Sequence, residues 1–380
     1  MTEILTFPIG FVTGYILPAL LVLTIVVFFH ELGHFLVARW CGVGVDAFSI
    51  GFGKELFGFN DRHGTRWRVS AIPLGGYVKF TGDENAASMP DTAALQAVPE
   101  DRRAGLFYFA ALWKRAAIVA AGPFANFILA IAIFAVLFST FGRPISLPVV
   151  DSVMPDSPAE AAGIAPGDRI VAIDGSAIQS FSDIQRIVTL ASDDQLTISV
   201  ERDGERVDLT ATPERREIAD GFGGTQRVGV LGISRSIAAE QVTYRRYGPL
   251  EAVVEGVNET GMIVERTMTY VGRLFTGRET VDQLSGPVRI TQVTGVVASS
   301  GGMVALLHLT AILSVSIGLL NLFPVPMLDG GHLVFYAVEA VRGRPLSPRM
   351  QEMGFRVGFA LVIMLFVFVT FNDIVKLAGI

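Results

Sequence analysis

The sequence predicts a polytopic α-helical membrane protein with four transmembrane helices, a membrane-associated β-hairpin and one mixed α/β extracytoplasmic domain. Three observations carry that prediction. The 380 residues are 51% hydrophobic and 17% charged, with a mean hydropathy of +0.50, whereas soluble domains carry ~25% charged residues. Residues 4–29, 116–142 and 290–328 contain no Asp, Glu, Lys or Arg, and a fourth such stretch runs from Val357 to Asn372. A bilayer core ~30 Å thick is crossed by about 20 apolar residues in a helix. The segments between these stretches carry the β-branched residues and turn signals of strands. The composition excludes intrinsic disorder, and a net charge of −6 argues against nucleic acid as a partner. The single cysteine, Cys41, excludes an intramolecular disulfide and a cysteine-based zinc site, so any metal must be held by His, Asp or Glu.

Residues 1–37 form the first transmembrane helix. A cleaved signal peptide is the rival reading, but it requires a basic leader, and here Glu3 is the only early charge and Arg39 the first cation. Residues 38–115 follow as a hairpin and loop on the cytoplasmic side. VGVDAFSIGFG and TRWRVSAIPL read as strands around an Asn60-Asp61 turn, and Gly75-Gly76 breaks the second before YVKF. Strand edges cannot face lipid, so this apolar hairpin must lie against the helices. Residues 83–103 are small and polar and predict a flexible loop. The second transmembrane helix is 116–142.

Residues 147–235 form the mixed unit. PVVDSVM is a strand, SPAEAAGI a short helix ending at Gly163, and APGDRIVAIDG a turn, strand and second turn at Asp174-Gly175. Ser182 is the expected N-cap of FSDIQRIVTLA, and QLTISVERDGERVDLTATP is a hairpin with Asp203-Gly204 at its tip. Residues 236–300 read as an extracytoplasmic amphipathic segment with a helix over 248–276. Its incomplete apolar face (Val254, Val257, Met262, Val264, Val271) suits a membrane surface. The third transmembrane helix is 301–328, the next loop 329–352 and the fourth helix 353–374, with Arg356 snorkelling. Arg39, Lys114 and Arg115, with Arg342, Arg344, Arg349 and Arg356, place 38–115 and 329–352 in the cytoplasm by the positive-inside rule. The N-terminus, 143–300 and the tail then lie outside.

The chemistry starts at FFHELGHFL. His30 and His34 are spaced i, i+4 and share one helix face, which lets two imidazoles hold one zinc ion. Glu31 stands beside them, where a carboxylate can take a proton from metal-activated water. Such motifs also arise on solvated helix faces. At the end of a membrane helix, however, these groups cost ~2.5–3.5 kcal/mol for a central acidic residue unless paired, and a metal is a natural partner. A catalytic zinc site takes a third protein ligand and keeps one position open. Asp329, in NLFPVPMLDGGH, is the candidate: Pro324 and Pro326 end the helix before it, and the topology brings it to the same side as the histidines. His332 is the rival ligand, but choosing it leaves Asp329 buried and unpaired. Asn321 has two readings, a donor to a developing oxyanion or an interhelical hydrogen bond. GPFAN at 122–126 reads as a kink with a satisfied amide in preference to a substrate contact. His63 reads as a loop histidine, His308 as lying near the outer end of the third helix, and Cys41 as inert packing or a surface thiol.

HELGH at 30–34, IPLGGYVKF at 72–80, GPFAN, SGPVRI at 285–290 and NLFPVPMLDGGH at 321–332 occur together in an order that resembles the site-2 protease family of intramembrane zinc metalloproteases, in its regulator-of-sigma-E protease branch. The run SPAEAAGIAPGDRIVAIDG resembles the PDZ domains of bacterial proteases. The resemblance implies four transmembrane helices, zinc on His30, His34 and Asp329, Glu31 as catalytic base, and Asn321 assisting. It implies substrates that are single-pass membrane proteins already cut by another protease, such as anti-sigma factors or leftover signal peptides, in a bacterial inner membrane. The enterobacterial member carries two tandem PDZ domains, whereas one such run is found here. Gly75 and Gly76 would let a substrate strand approach the hairpin; the PDZ-like run has two open readings, main-chain amides of Ala162, Gly163 and Ile164 that receive a new C-terminus, or a block to substrates with bulky outer domains. Two other classes stand as alternatives: an inactive membrane PDZ scaffold and a zinc transporter.

Overall fold

A computed structural model describes residues 10–82, 103, 105–145, 147–178, 180–219, 225–235, 243–277 and 285–378. The expected flexible loop at 83–103 thus lies, apart from Arg103, outside the described residues. Among these residues, four helices are long and apolar enough to cross a membrane: Val12–Trp40, Leu112–Thr140, Pro287–Asn321 and Arg349–Leu377. Short turns apart, the helices are α1 (Leu17–Trp40), α2 (Leu112–Thr140), α3 (Phe181–Leu190), α4 (Pro249–Phe275), α5 (Pro287–Asn321), α6 (Asp329–Arg342) and α7 (Pro348–Ala378). The chain divides into two compact units, one of 1–134, 256–264 and 285–373, the other of 135–255, 265–284 and 374–380.

In the first unit, α5 begins at Pro287, inside the segment expected to end at 300. Gly302 takes a positive φ (61°) that only glycine adopts without cost, and α5 kinks there before the helix resumes. The start of α5 is capped in trans. Asp373, buried in α7, accepts hydrogen bonds from the main-chain amides of Gly286 (3.0 Å) and Arg289 (2.9 Å). Residues 329–352, expected as a loop, contain α6.

The hairpin strands β1 (Val45–Asn60) and β2 (Arg66–Phe80) are long enough to fold back on themselves. Residues 45–50 pair on one side with 66–69 and on the other with 76–80, while 55–60 pair with 66–70. The bend in β1 is made at Gly51 and Gly53, both at φ 85°. The result is a four-segment sheet in which 76–80 is an edge. Phe28 and Phe35 of α1 pack edge-on against Phe48, which stacks on Trp67 at 4.3 Å. Arg39 clamps the hairpin turn, donating to Asp61 (2.6 Å) and Thr65 (2.7 Å). The far end of the hairpin leaves Leu56, Phe57, Phe59 and Ile72 exposed.

In the second unit, β3 (Arg169–Ile173), β4 (Ser176–Ala177), β5 (Leu196–Arg202) and β6 (Glu205–Ala211) form an antiparallel sheet in the order β4-β3-β5-β6. Ile170, Ile173, Ile198 and Val200 cover Ile184 of α3. Asp203 and Gly204 make the β5–β6 turn at φ 52° and 86°, the double positive φ of a two-residue hairpin turn. The N-cap of α3 is Ser180, not Ser182. The Ser180 hydroxyl accepts from the Asp183 amide (3.3 Å) and the Asp183 carboxylate accepts from the Ser180 amide (2.9 Å). Ser182, although followed by Gln185 at the same spacing, already lies inside the helix that begins at Phe181.

Asp168 is buried and ties the turn before β3 to β5. It accepts two bonds from Arg202, each 2.7 Å, and one from the Ala165 amide at 2.8 Å. Burial pushes its carboxyl up, but the Arg202 guanidinium outweighs this and holds it below the usual carboxylate range. The stabilisation is therefore present above pH ~4, the unfolded value, and is lost as pH falls through the depressed folded value. Arg202 is partly exposed, so Asp168→Asn is expected to cost about 2 kcal/mol at pH 7, below the range for fully buried pairs. Amide exchange in β3 and β5 checks this, and variant and wild type should converge in acid.

Candidate metal centre

The i, i+4 spacing on α1 brings His30 Nε2 and His34 Nε2 to 3.2 Å from one another. Asp329 Oδ2 reaches the same point, 3.1 Å from His30 Nε2 and 3.5 Å from His34 Nε2. Ligand atoms ~2.0–2.1 Å from a tetrahedral zinc stand about 3.3 Å apart, so the three observed spacings bracket the value such a site requires. Although near both rings, Asp329 Oδ2 is buried and makes no well-formed hydrogen bond. Three lone-pair atoms converging in a buried place fit a cation, and these residues form the metal-capable cluster among the described residues.

Asp329 opens α6, where a carboxylate meets the positive end of the helix. The chain between α5 and α6 folds tightly onto the next two residues. A Cβ on Gly330 would sit 2.3 Å from the Leu322 and Phe323 carbonyl oxygens, and one on Gly331 would sit 2.3 Å from that of Val325. Only glycines let the loop close this far. Met327, just before the aspartate, is held at φ 91°, a costly conformation for a side-chain-bearing residue.

α2 forms the layer behind the histidines. His34 Nδ1 donates to the Ile118 carbonyl at 2.8 Å, which leaves Nε2 as the lone-pair nitrogen. A Cβ at Gly122 would lie 2.3 Å from His34 Nε2 and 2.9 Å from His30 Cε1, so the imidazoles occupy the space of a missing side chain. The buried Asn126 amide stands 3.3 Å from His30 Nδ1. α2 continues through Pro123, and the Asn126 amide of GPFAN faces His30. Ile118 was missed by sequence reasoning, as was the place of Gly122 and Asn126 beside the histidines. Their spacing of four matches that of His30 and His34 and was the available signal.

A cavity of about 260 Å³ opens on this cluster, lined by Glu31, Gly76, Tyr77, Val78, Asn321 and His332 among others. The Val78 main chain bonds the Glu31 carboxylate. Gly76 lies so near that a Cβ there would stand 3.2 Å from Glu31 Cγ and 2.7 Å from the Ser49 carbonyl oxygen. Gly75, at φ 128°, sits over Phe52. Asn321 faces the cavity at the end of α5, and its amide donates to Ile317 of its own helix (3.0 Å), not across helices. His332 is not drawn into the ligand cluster; its ring lies 5.2 Å from Phe355. His63 sits in the hairpin turn, His308 lies 5.5 Å from the Phe134 ring, and Cys41 accepts from Lys114 through its carbonyl. The amides of Ala162, Gly163 and Ile164, expected to receive a C-terminus, are already engaged by Pro158, Glu160 and Ala159 carbonyls, and the Ile164 side chain is core. That correction follows from the helical turn at Pro158–Ala161, whose end consumes them.

The profile described as peptidase family M50 matches residues 18–365. The chain belongs to this family. A "Putative zinc metalloprotease" of Agrobacterium fabrum is 54% identical over 370 residues, covering 97% of this chain and 98% of that one. "Metalloprotease MmpA" of Caulobacter vibrioides is 43% identical, covering 96% of each chain. A Rickettsia conorii relative is 34% identical over 95% of this chain and 99% of that one. The protein is thus an M50 zinc metalloprotease, and its convergent His and Asp atoms fit the metal that family uses.

Gly122→Ala tests the cradle. The added methyl must displace His34, so zinc bound per purified protein should fall at least tenfold while helical circular dichroism is retained.

Proposed function

We propose that this M50 zinc metalloprotease is a site-2-type intramembrane protease that cuts single-pass membrane proteins in or beside their spanning segment during regulated intramembrane proteolysis. The observation that carries this is the convergence of His30, His34 and Asp329 beside Glu31, at the end of a helix long and apolar enough to span a bilayer. In this reading those three residues hold zinc. When bound, zinc supplies Lewis acidity, drawing the pKa of a coordinated water toward ~7 and polarising a carbonyl. Glu31, oriented by the Val78 main chain, takes a proton from the attacking water and passes it to the leaving amine. The Asn321 amide has two hydrogens. One is spent on Ile317, and the second is left to donate to the oxyanion or the substrate backbone.

A peptide bond inside a helix is shielded by its own hydrogen bonding, so the substrate must unwind. The sheet edge at 76–80 lines the cavity, and an unwound segment can add to it as a further strand. Gly75 and Gly76 permit that approach. The exposed apolar end of the hairpin supports its contact with the membrane. The positive-inside pattern supports an inner-membrane enzyme with its site toward the cytoplasm. It puts the PDZ-like domain at 147–235 and the amphipathic segment after it on the extracytoplasmic side. The engaged amides at 162–164 favour that domain as a size filter over a C-terminus receptor. Substrates are then proteins already shortened by another protease, of the anti-sigma-factor or signal-peptide type.

Purified wild type and Glu31→Gln, with zinc measured in both, test the mechanism on a tagged single-pass substrate lacking its outer domain. Cleavage should fall by at least about 100-fold in the variant with zinc unchanged. Equal cleavage would sink the role of Glu31, and zinc flux into liposomes in place of cleavage would favour a transporter. Absent cleavage and flux with zinc bound would favour the scaffold. Separately, deleting 147–235 should release cleavage of substrates that keep their outer domain. Loss of all cleavage would instead mark the domain as a required dock.

A further inference from the structure

A neutral imidazole carries one proton, so a histidine that ligates through Nε2 must hold that proton on Nδ1 and needs an acceptor there. The Ile118 carbonyl fills this role for His34. At His30 Nδ1 the polar group at hydrogen-bonding distance is the side chain of Asn126, 3.3 Å away and fully buried. Its Nδ2 faces the ring and its Oδ1 is buried without a hydrogen-bond partner among the described residues. An amide that donates to Nδ1 forces the His30 proton onto Nε2, where it would oppose a cation. A half-turn of the amide reverses this: Oδ1 accepts the Nδ1 proton, and the Nε2 lone pair joins those of His34 and Asp329.

We propose that Asn126 is the positioning residue for His30, accepting the Nδ1 proton through Oδ1 and so selecting the tautomer that binds zinc. The inference rests on the reading of His30 as a zinc ligand. Its place in the fold supports it. Ile118, Gly122 and Asn126 lie on one face of α2 at a spacing of four, with Gly122 giving room to both rings. The Asn126 main chain is pinned by α5: the Ser314 hydroxyl donates to its carbonyl at 2.8 Å, and a Cβ on Gly318 would stand 3.1 Å from Asn126 Cβ. The amide turns end for end in place while its backbone stays fixed.

The test is zinc affinity, measured by chelator competition on the full-length protein in detergent. Asn126→Leu keeps the shape and removes the acceptor, and should weaken zinc by 10–100-fold. Asn126→Asp keeps an acceptor and removes the donor, and should stay within about threefold of wild type. Should the leucine variant fail to fold, Asn126→Asp alone decides. Wild-type affinity in Asn126→Leu, or an equal loss in Asn126→Asp, overturns the proposal. His30→Ala separates the two levels. If it loses zinc while Asn126→Leu does not, only the positioning role falls; if it keeps zinc, the ligand assignment falls and this inference with it.

Discussion

The site depends on one constraint: two imidazoles set edge to face on one side of a membrane helix must both turn a lone pair toward the same point. Each ring has a second nitrogen that must find a partner out of water, and an unmet buried donor costs roughly 1–3 kcal/mol. α2 answers this for His34 with the Ile118 carbonyl and makes room for both rings at Gly122. The α1–α2 contact is correspondingly close, since a Cβ at Gly33 would stand 2.3 Å from the Ala121 carbonyl oxygen. Helices in lipid gain little from burying apolar surface and associate by such close approach and polar contacts. Here the packing that joins the helices also orients the ligands.

The third ligand arrives by a different route. Irregular backbone at membrane depth is tolerated only when other groups cover it. The turn between α5 and α6 meets that condition by lying on Gly330 and Gly331 and against Gly358 of α7, whose Cβ position falls within 2.0 Å of the Pro326 carbonyl oxygen (1.9 Å). Asp329 is thus carried by a turn packed closely on its own glycines and on α7.

Much of this was legible in the residues. The four apolar stretches stand out because the bilayer demands a length, and His30, His34 and Asp329 because metal ligation demands particular side chains at particular spacings. Other features rest on partners the local sequence does not name. Ile118 acts through its carbonyl, which any residue has. Gly122 acts through an absent side chain. The four-segment sheet arises from pairings across β1 and β2 that a turn signal at Asn60-Asp61 does not reveal. The Ser180 cap was not readable from spacing alone, because Ser180 has Asp183 and Ser182 has Gln185 three residues on. The kink at Gly302 falls on a Gly-Gly pair, but the start of α5 upstream of it at Pro287 was not read, because the sequence between them carries few strongly apolar residues.

Asp373 has a consequence for how the enzyme is made. The carboxylate that completes the first turn of α5 lies downstream of Asp329, so the ribosome delivers every metal-binding side chain before it delivers this cap. A nascent chain that holds both histidines and the aspartate therefore still has loose amides at the head of the helix leading to the aspartate. Anchorage of that helix thus waits until α7 is inserted.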